Sequence, residues 1–323
     1  MKSRLKGFQR KAGIVSQEGK LLLKSQCVAE VPSVVAQPRA TGLLSKRGTF
    51  TYSVLTVMDN SLARPLAVVT GASNGIGYEL AKQFAQNGFD LLVTSTGPGI
   101  NEAAQAFVEL GVKVETVQAD LATYDGVETL YNKIKATNRP LDAIAINAGV
   151  GVGGDFARET DLKDELNLIN LNVVSSVHLA KRVVKDMVER GKGRILFTSS
   201  IAALMPGPFE AVYAASKAFL HSFSESLRSE LKDTGVTVTA LMPGPTETNF
   251  FHRAGMDDTK VGTDKKDDPA EVAKQGFEAL MAGKDDIIAG SLKTKLQGAV
   301  SKVLPDTVNA EMHRKLSEPG SAQ

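Results

Sequence analysis

Residues 66–77 read Leu66-Ala67-Val68-Val69-Thr70-Gly71-Ala72-Ser73-Asn74-Gly75-Ile76-Gly77. A short β-favouring apolar run passes into a turn set with Gly71, Gly75 and Gly77, after which Ile76, Leu80 and Phe84 recur at helical spacing. A strand, a glycine turn and a helix in that order make a cradle for a phosphate group. The amino end of the helix offers unpaired N–H groups and a partial positive charge, and glycines let an anion approach the backbone closely. A glycine turn alone is often mere loop chemistry; the strand before it and the helix after it give this one its weight.

Working outward, β-rich apolar runs near 66–70, 89–95, 113–118, 142–147, 193–199, 236–242 and 286–290 alternate with helical spacing near 76–87, 100–110, 123–137, 161–190, 212–232 and 269–283. That alternation predicts βαβ units: a doubly wound α/β fold with a seven-stranded parallel sheet, helices on both faces, and a ligand crevice at the carboxyl ends of the strands. Residues 244–268 carry Pro, Gly, Thr and a dense charge run (Asp257, Asp258, Lys260, Asp264, Lys265, Lys266, Asp267, Asp268) and read as a mobile excursion, a lid or a plain solvated loop. The domain is expected over 62–290, with a helical tail over 291–323.

The formal charge of +2 over 323 residues hides an asymmetry: residues 1–57 hold ten Lys/Arg against Glu18 and Glu30, a net of +8 that leaves −6 for the rest. Residues 1–61 are therefore read as a basic extension outside the fold. A transit peptide, a nucleic-acid or membrane-surface arm and a stretch upstream of the true start all fit; the last is favoured because Met58 stands just before a complete domain start. Runs such as Leu21-Leu22-Leu23 and Ile195-Leu196-Phe197 fall far short of the roughly 20 apolar residues that span a bilayer. The lone Cys27 excludes an intrachain disulfide and a cysteine metal cluster. A soluble cytoplasmic protein is expected, with organelle targeting left open.

Tyr213 and Lys217 stand four apart in a helical stretch, so their side chains share one face. A phenol is a poor base near neutrality, and a neighbouring ammonium would favour its anion. Ser200 ends the fifth strand. Ser199 competes with it, since either hydroxyl could cap the turn, but strand alternation points the two in opposite directions. His178, His221, His252 and His313 lack metal-ligand spacing and read as surface or packing residues, so no metal is expected. The absence of Gly-x-Ser-x-Gly lowers a serine-hydrolase reading.

The glycine spacing Gly71-x-x-x-Gly75-x-Gly77 resembles the signature of the short-chain dehydrogenase/reductase superfamily in its compact single-domain branch, whose sheet is of Rossmann type. Asn147-Ala148-Gly149 is similar to that family's Asn-Ala-Gly segment. Tyr213-Ala-Ala-Ser-Lys217 is similar to its Tyr-x-x-x-Lys pair, and Pro243-Gly244 with Thr246 and Thr248 to its cofactor-closing turn. These motifs cover about seven tenths of the chain and are specific to the superfamily rather than to one enzyme.

The resemblance implies an oxidoreductase moving a hydride between a nicotinamide dinucleotide and a carbonyl or alcohol. Tyr213 would transfer the proton and Ser200 would polarise the substrate oxygen. Lys217 would reach the nicotinamide ribose, and Asn172, preferred over Asn167 or Asn170, would organise water toward the lysine. Gly71, Ser73, Asn74, Gly75, Ile76 and Gly77 would cradle the dinucleotide, with Asp120 and Leu121 at the adenine. Asp120 reads equally as a capping residue ahead of Thr123. A carboxylate about twenty residues past the turn would bind a free ribose 2′-hydroxyl; Thr94-Ser95-Thr96-Gly97 stands there instead, similar to the family's ketoacyl-carrier reductases, so Ser95 and Thr96 favour NADP(H) over NAD(H). The usual basic clamp is missing, and Asn74 sits where some NADP-using relatives carry Arg or Lys.

The alternatives are a catalytically silent dinucleotide sensor or interaction protein, since a fold does not dictate function, and, less favoured by the glycine pattern, an epimerase or dehydratase. Met205, Phe209, Phe250, Phe251 and Met256 are candidates for an apolar substrate pocket or for plain packing. Val173, Val177, Val184, Val188, Phe219, Phe223, Leu227 and Leu231 put apolar groups on more than one face of two long helices, which predicts a homodimer or homotetramer. The partner is a small-molecule carbonyl or alcohol; no nucleic acid and no membrane span are expected.

Overall fold

The strand β1, Leu66–Thr70, is buried at every residue, as a central strand covered on both faces requires. The computed structural model describes residues 64–322; the expectations for residues 1–61, including Met58 and Cys27, lie outside the described residues. The other strands are β2 (Asp90–Ser95), β3 (Val114–Gln118), β4 (Leu141–Ile146), β5 (Gly193–Thr198), β6 (Val236–Pro243) and β7 (Asp286–Ala289). All pairs are parallel, in the order β3-β2-β1-β4-β5-β6-β7. The order reverses between β1 and β4, so the crevice opens where Thr70 and Ile146 end, with the glycine turn at its lip.

Helices α1 (Gly75–Gln86), α2 (Gly99–Val108) and α3 (Tyr124–Ala136) fill the first crossovers. Helices α4 (Leu162–Ile169) and α5 (Ser175–Arg190) precede β5, α6 (Ala211–Leu231) precedes β6, and α9 (Pro269–Met281) precedes β7. The sheet separates two apolar layers. Phe84 of α1, Phe107 of α2 and Phe277 of α9 pack on one face, Phe84 and Phe277 meeting edge-on at 5.2 Å between ring centres. Leu130, Leu179, Met187 and Leu220 pack on the other. Among the described residues no helix is long and apolar enough to cross a membrane.

Four differences from the sequence reading have physical causes. The helix expected over 161–190 is broken by a π-helical turn, Asn170–Val174. The stretch 244–268 is not a bare charged loop. It holds α7 (Phe250–Arg253) and α8 (Lys260–Thr263), and Phe251, Ala254 and Met256 bury a small core of their own above a parallel bridge of Thr246 with Asp267. The tail forms α10 (Leu292–Ser301) and α11 (Asp306–Ser317) and returns to the domain, where Gly320 N–H donates to Asp258 Oδ2 and Lys260 N–H to Ser321 Oγ, each at 2.9 Å. Finally, of the residues read as subunit-facing, Leu231 is buried in the core and Val184, Val188, Phe223 and Leu227 pack against it while partly buried.

Candidate active site

At the glycine turn the backbone itself is the binding element. Gly71 and Gly75 take φ of +67° and +58°, where L side chains are strained. A Cβ on Gly77 would stand 2.1 Å from the Gly71 carbonyl oxygen, so only glycine lets α1 start this close to β1. Asn74 precedes α1 but makes no side-chain cap; its amide donates to Ser73 Oγ at 3.2 Å, and no acidic residue occupies the first turn. The N–H groups at this helix end remain open to an anion. These features fit a dinucleotide pyrophosphate on the chain's own geometry.

Threonine and asparagine lock the three central strands together beside the turn. Thr70 Oγ1 accepts from the N–H groups of Asn147 and Ala148 at 2.8 and 2.9 Å. Asn147 Nδ2 donates to Thr70 O at 3.0 Å, and its Oδ1 accepts from Thr198 Oγ1 at 3.1 Å. One amide thus bridges the ends of β1, β4 and β5.

β5 ends at Thr198, and Ser199 and Ser200 follow it with divided roles. Ser199 Oγ is buried and donates to Lys217 O at 2.8 Å. Ser200 Oγ accepts from Ala202 N–H at 3.1 Å, capping a short 3-10 turn over Ile201–Leu204, and donates to Pro243 O at 3.4 Å. Lys217 Nζ donates to Thr198 O at 2.9 Å and lies 5.6 Å from the centre of the Tyr213 ring. The break at Asn170–Val174 presents Asn172, fully buried, to the loop after β4. Its Oδ1 accepts from Val150 N–H, and its Nδ2 donates to Val150 O and Ser216 Oγ, all at 3.0 Å. Asn172 Oδ1 and Lys217 Nζ both pack within 3.4 Å of where a Gly149 side chain would begin.

Burial pushes the Tyr213 phenol above its ordinary value of 10, the Glu210 carboxylate adds to the rise, and the Ser200 hydroxyl opposes it. Burial also pushes the Lys217 ammonium from 10.5 down to about 8. Desolvation thus opposes the phenolate in this cleft, while the Lys217 ammonium donates to the Thr198 carbonyl.

The glycine turn and the Ser200, Tyr213 and Lys217 side chains face one cavity of about 260 Å³. Gly71, Ser73, Asn74, Gly75, Ile76, Gly77, Ser95, Thr96, Leu121, Asn147, Ala148 and Gly149 line it, as do Ser200, Tyr213, Lys217, Pro243, Gly244, Thr246 and Thr248. Two expected residues stand outside the lining. Asn172 lies behind Val150 and Lys217, and Asp120 is exposed with its Oδ1 accepting from Ala122 N–H at 3.0 Å, while Thr123 caps α3. Met205, Phe250 and Phe251 line the cavity, Phe250 5.2 Å from the Tyr213 ring centre to centre, whereas Met256 is buried in the core above 246–267 and Phe209 lies under the Arg314 guanidinium.

The family model described as short chain dehydrogenase matches residues 65–259, more than half of the chain. The chain belongs to the short-chain dehydrogenase family. As such it is an oxidoreductase. Among curated relatives it is 33% identical over 200 residues to the NADP-dependent 3-hydroxy acid dehydrogenase YdfG of Salmonella typhi, covering 61% of this chain and 79% of that one. Among solved structures it is similar to a short-chain dehydrogenase from Sphingobium yanoikuyae in complex with NADPH, at 29% identity and a TM-score of 0.65 over 69% of this chain and 87% of that one. It is also similar to the L-sorbose reductase of Gluconobacter frateurii complexed with NADPH and L-sorbose, at 26% identity and a TM-score of 0.62 over 72% and 97% of the two chains.

Beyond the motifs of this short-chain dehydrogenase, the cavity wall includes Glu210, Gln297, His313, Leu316 and Ser317, none of which the sequence reading singled out as site residues. His313, read there as a surface or packing residue, is buried against Glu210, whereas His178, His221 and His252 pair with Glu128, Glu225 and Asp257 outside the cavity. The one available signal was the spacing of His313 and Ser317, one turn apart; that α11 folds back onto the start of α6 is a tertiary fact no local pattern carries.

Proposed function

We propose that this chain moves a hydride between NADP(H) and a carbonyl or secondary-alcohol substrate, with Tyr213 as the proton-transfer group. The observation that carries the reading is that one cavity runs from the glycine turn to Ser200, Tyr213 and Lys217. The nicotinamide, when bound, supplies or accepts the hydride; the chain's residues place the other reactant and manage the proton. In reduction, Ser200 and Tyr213 hold the substrate oxygen, and Tyr213 gives its proton to that oxygen as the carbonyl carbon becomes an alcohol carbon. A phenol kept protonated by burial suits that direction. Lys217, bonded to Thr198 and lying with Asn172 beside Gly149, would bind the ribose and return a proton to Tyr213.

NADP(H) is the proposed coenzyme because β2 runs into Thr94-Ser95-Thr96-Gly97 without a carboxylate, and Ser95 and Thr96 line the cavity. The NADP(H) use of the named relatives supports the same choice. Placing an acid there, Thr96→Asp, is expected to lower kcat/KM with NADPH at least tenfold relative to NADH; an unchanged ratio would remove Thr96 from coenzyme selection.

The central experiment follows NADPH oxidation across a panel of aldehydes and ketones. Tyr213→Phe is expected to lose turnover by about 10² to 10⁴-fold while NADPH binding, read by fluorescence titration, persists. A protein that binds NADPH and reduces nothing across the panel would restore the reading of a silent dinucleotide binder.

A further inference from the structure

The cavity contains a second buried polar group that hydride transfer does not use. Glu210 stands immediately before α6, and His313 and Ser317 lie one turn apart on α11; the three are 5%, 9% and 1% exposed. Glu210 Oε2 lies 3.1 Å from His313 Nε2 and accepts from Ser317 Oγ at 3.1 Å, and Ser317 Oγ is 3.2 Å from the same Nε2. Serine and carboxylate both meet one ring nitrogen, so this is not a nucleophile relay, which needs them on opposite nitrogens. Instead Ser317 and His313 fix the carboxylate by one of its oxygens. The other, Oε1, and His313 Nδ1 have no hydrogen bond among the described residues, yet neither is sealed from solvent as the orphaned buried atoms elsewhere are. Both side chains line the cavity. This leaves an acceptor of a largely buried carboxylate open to the cavity, where a ligand hydroxyl can meet it in place of water.

We propose that Glu210 and His313 form a polar subsite for a second hydroxyl group on the substrate, next to the reacting carbon, so that the preferred substrates are hydroxy-ketones and hydroxy-aldehydes and their diols. This rests on the reading of the cavity as the site of carbonyl reduction. Glu210 takes the N-cap position of the helix that carries Tyr213, three residues ahead of it, and both side chains line the same cavity, so a group bonded to Glu210 belongs to a carbon near the reacting one. An acceptor on the protein selects a donor on the ligand. A keto acid would set a second negative charge against Glu210; of the cations in the lining, Lys217 is bonded to Thr198 O, and Arg253 is exposed on α7. A site built to bond a hydroxyl rejects the analogue lacking it far more strongly than an apolar site rejects a missing methylene.

The test uses three ketones of nearly equal size, hydroxyacetone, butanone and pyruvate, with the full chain and NADPH. Hydroxyacetone is expected to exceed butanone in kcat/KM by about tenfold or more, and pyruvate to be the poorest. In Glu210→Gln the hydroxyacetone-to-butanone ratio is expected to fall at least fivefold. The altered charge beside Tyr213 acts on both substrates and cancels in the ratio, as would any general loosening. NADPH titration reports whether the variant folds; if it does not, His313→Gln tests the same ratio. A ratio within twofold of the parent in the folded variant, or pyruvate reduced best, overturns the subsite while leaving Tyr213-dependent reduction standing. Failure of all three ketones, with Tyr213→Phe no different from the parent, overturns the carbonyl-reducing reading and the subsite with it.

Discussion

Lys217 is a buried cation with one hydrogen bond, and its cost can be read as stability. Its folded-state value of about 8 lies below the ordinary 10.5, so between those limits the unfolded chain binds the proton and the folded chain does not. Stability attributable to this group therefore rises with pH across that window and is at its lowest, and flat, below about 8. Tyr213 acts in the opposite sense: its raised value means the folded chain keeps a proton that the unfolded chain releases above 10, so its contribution falls there. Lys217→Met is accordingly expected to abolish turnover yet raise unfolding free energy at pH 7 by about 1 to 3 kcal/mol, the lower figure reflecting the unpaired Thr198 carbonyl it leaves. Urea unfolding at pH 7 and 9.5 would check this; a variant less stable than the parent at pH 7 would show the ammonium to be well solvated in place. At this scale the sequence was informative about which residues meet but not about their energetics. The four-residue spacing of Tyr213 and Lys217 indicated a shared helix face, whereas the desolvation that opposes the phenolate depends on how deeply α6 is buried, which no local pattern states.

The elements differ in how much of their role was local. β1, the glycine turn and α1 are decided largely by neighbours in sequence: the steric demand at Gly77 comes first from the Gly71 carbonyl six residues earlier, and the Asn147 amide beyond β4 adds to it. Gly77→Ala is therefore expected to push α1 off the turn, costing about 2 to 4 kcal/mol and reducing NADPH affinity by at least tenfold. Gly99→Ala, at the start of α2 with nothing within 4 Å of its new methyl, should leave both unchanged within error. Thermal unfolding with and without NADPH separates the two; an equal effect at both positions would mean that helix propensity, not the close approach, governs the turn. The π-helical turn at Asn170–Val174 was not legible, because one extra residue in a turn barely disturbs an apolar pattern across a long helix. Its consequence is functional: it brings Asn172 to the backbone of Val150 beside Lys217, where a leucine would leave two backbone groups and Ser216 without their partner. Similarly, 244–268 reads from its charges and turn residues as a mobile lid, while its internal packing was not legible, because Phe251 and Met256 find each other only once α7 and α8 form.

At the scale of the whole molecule, exposed apolar side chains among the described residues gather on the tail helices α10 and α11 and, as a stripe, around α4, α5 and α6. Phe156, Leu162, Leu166, Val174 and Phe219 are between 41% and 70% exposed, all on or beside α4, α5 and α6, and Phe156, Ile169, Val173, Val212 and Phe219 line a shallow apolar depression there. The residues the helical spacing nominated for a subunit contact mostly turned inward, since α5 and α6 each cover the sheet; the exposed stripe is narrower and shifted toward Val174 and Phe219. Isolated apolar side chains on a surface need no explanation, but a contiguous group of this kind is costly in water, and a second copy meeting it across a two-fold axis would relieve that cost. Ser216 borders the depression and holds Asn172 from behind, so the contact would brace the wall of the active site. Sedimentation of the parent chain is expected to give a dimer or tetramer mass. Phe219→Glu, which places a charge at the centre of the stripe, is expected to lower that mass toward the monomer and to reduce kcat more than it weakens NADPH binding. A parent that sediments as a monomer at every concentration would assign the stripe to some other purpose. A Phe219→Glu monomer with full kcat would show instead that Asn172 keeps its place without the neighbouring copy.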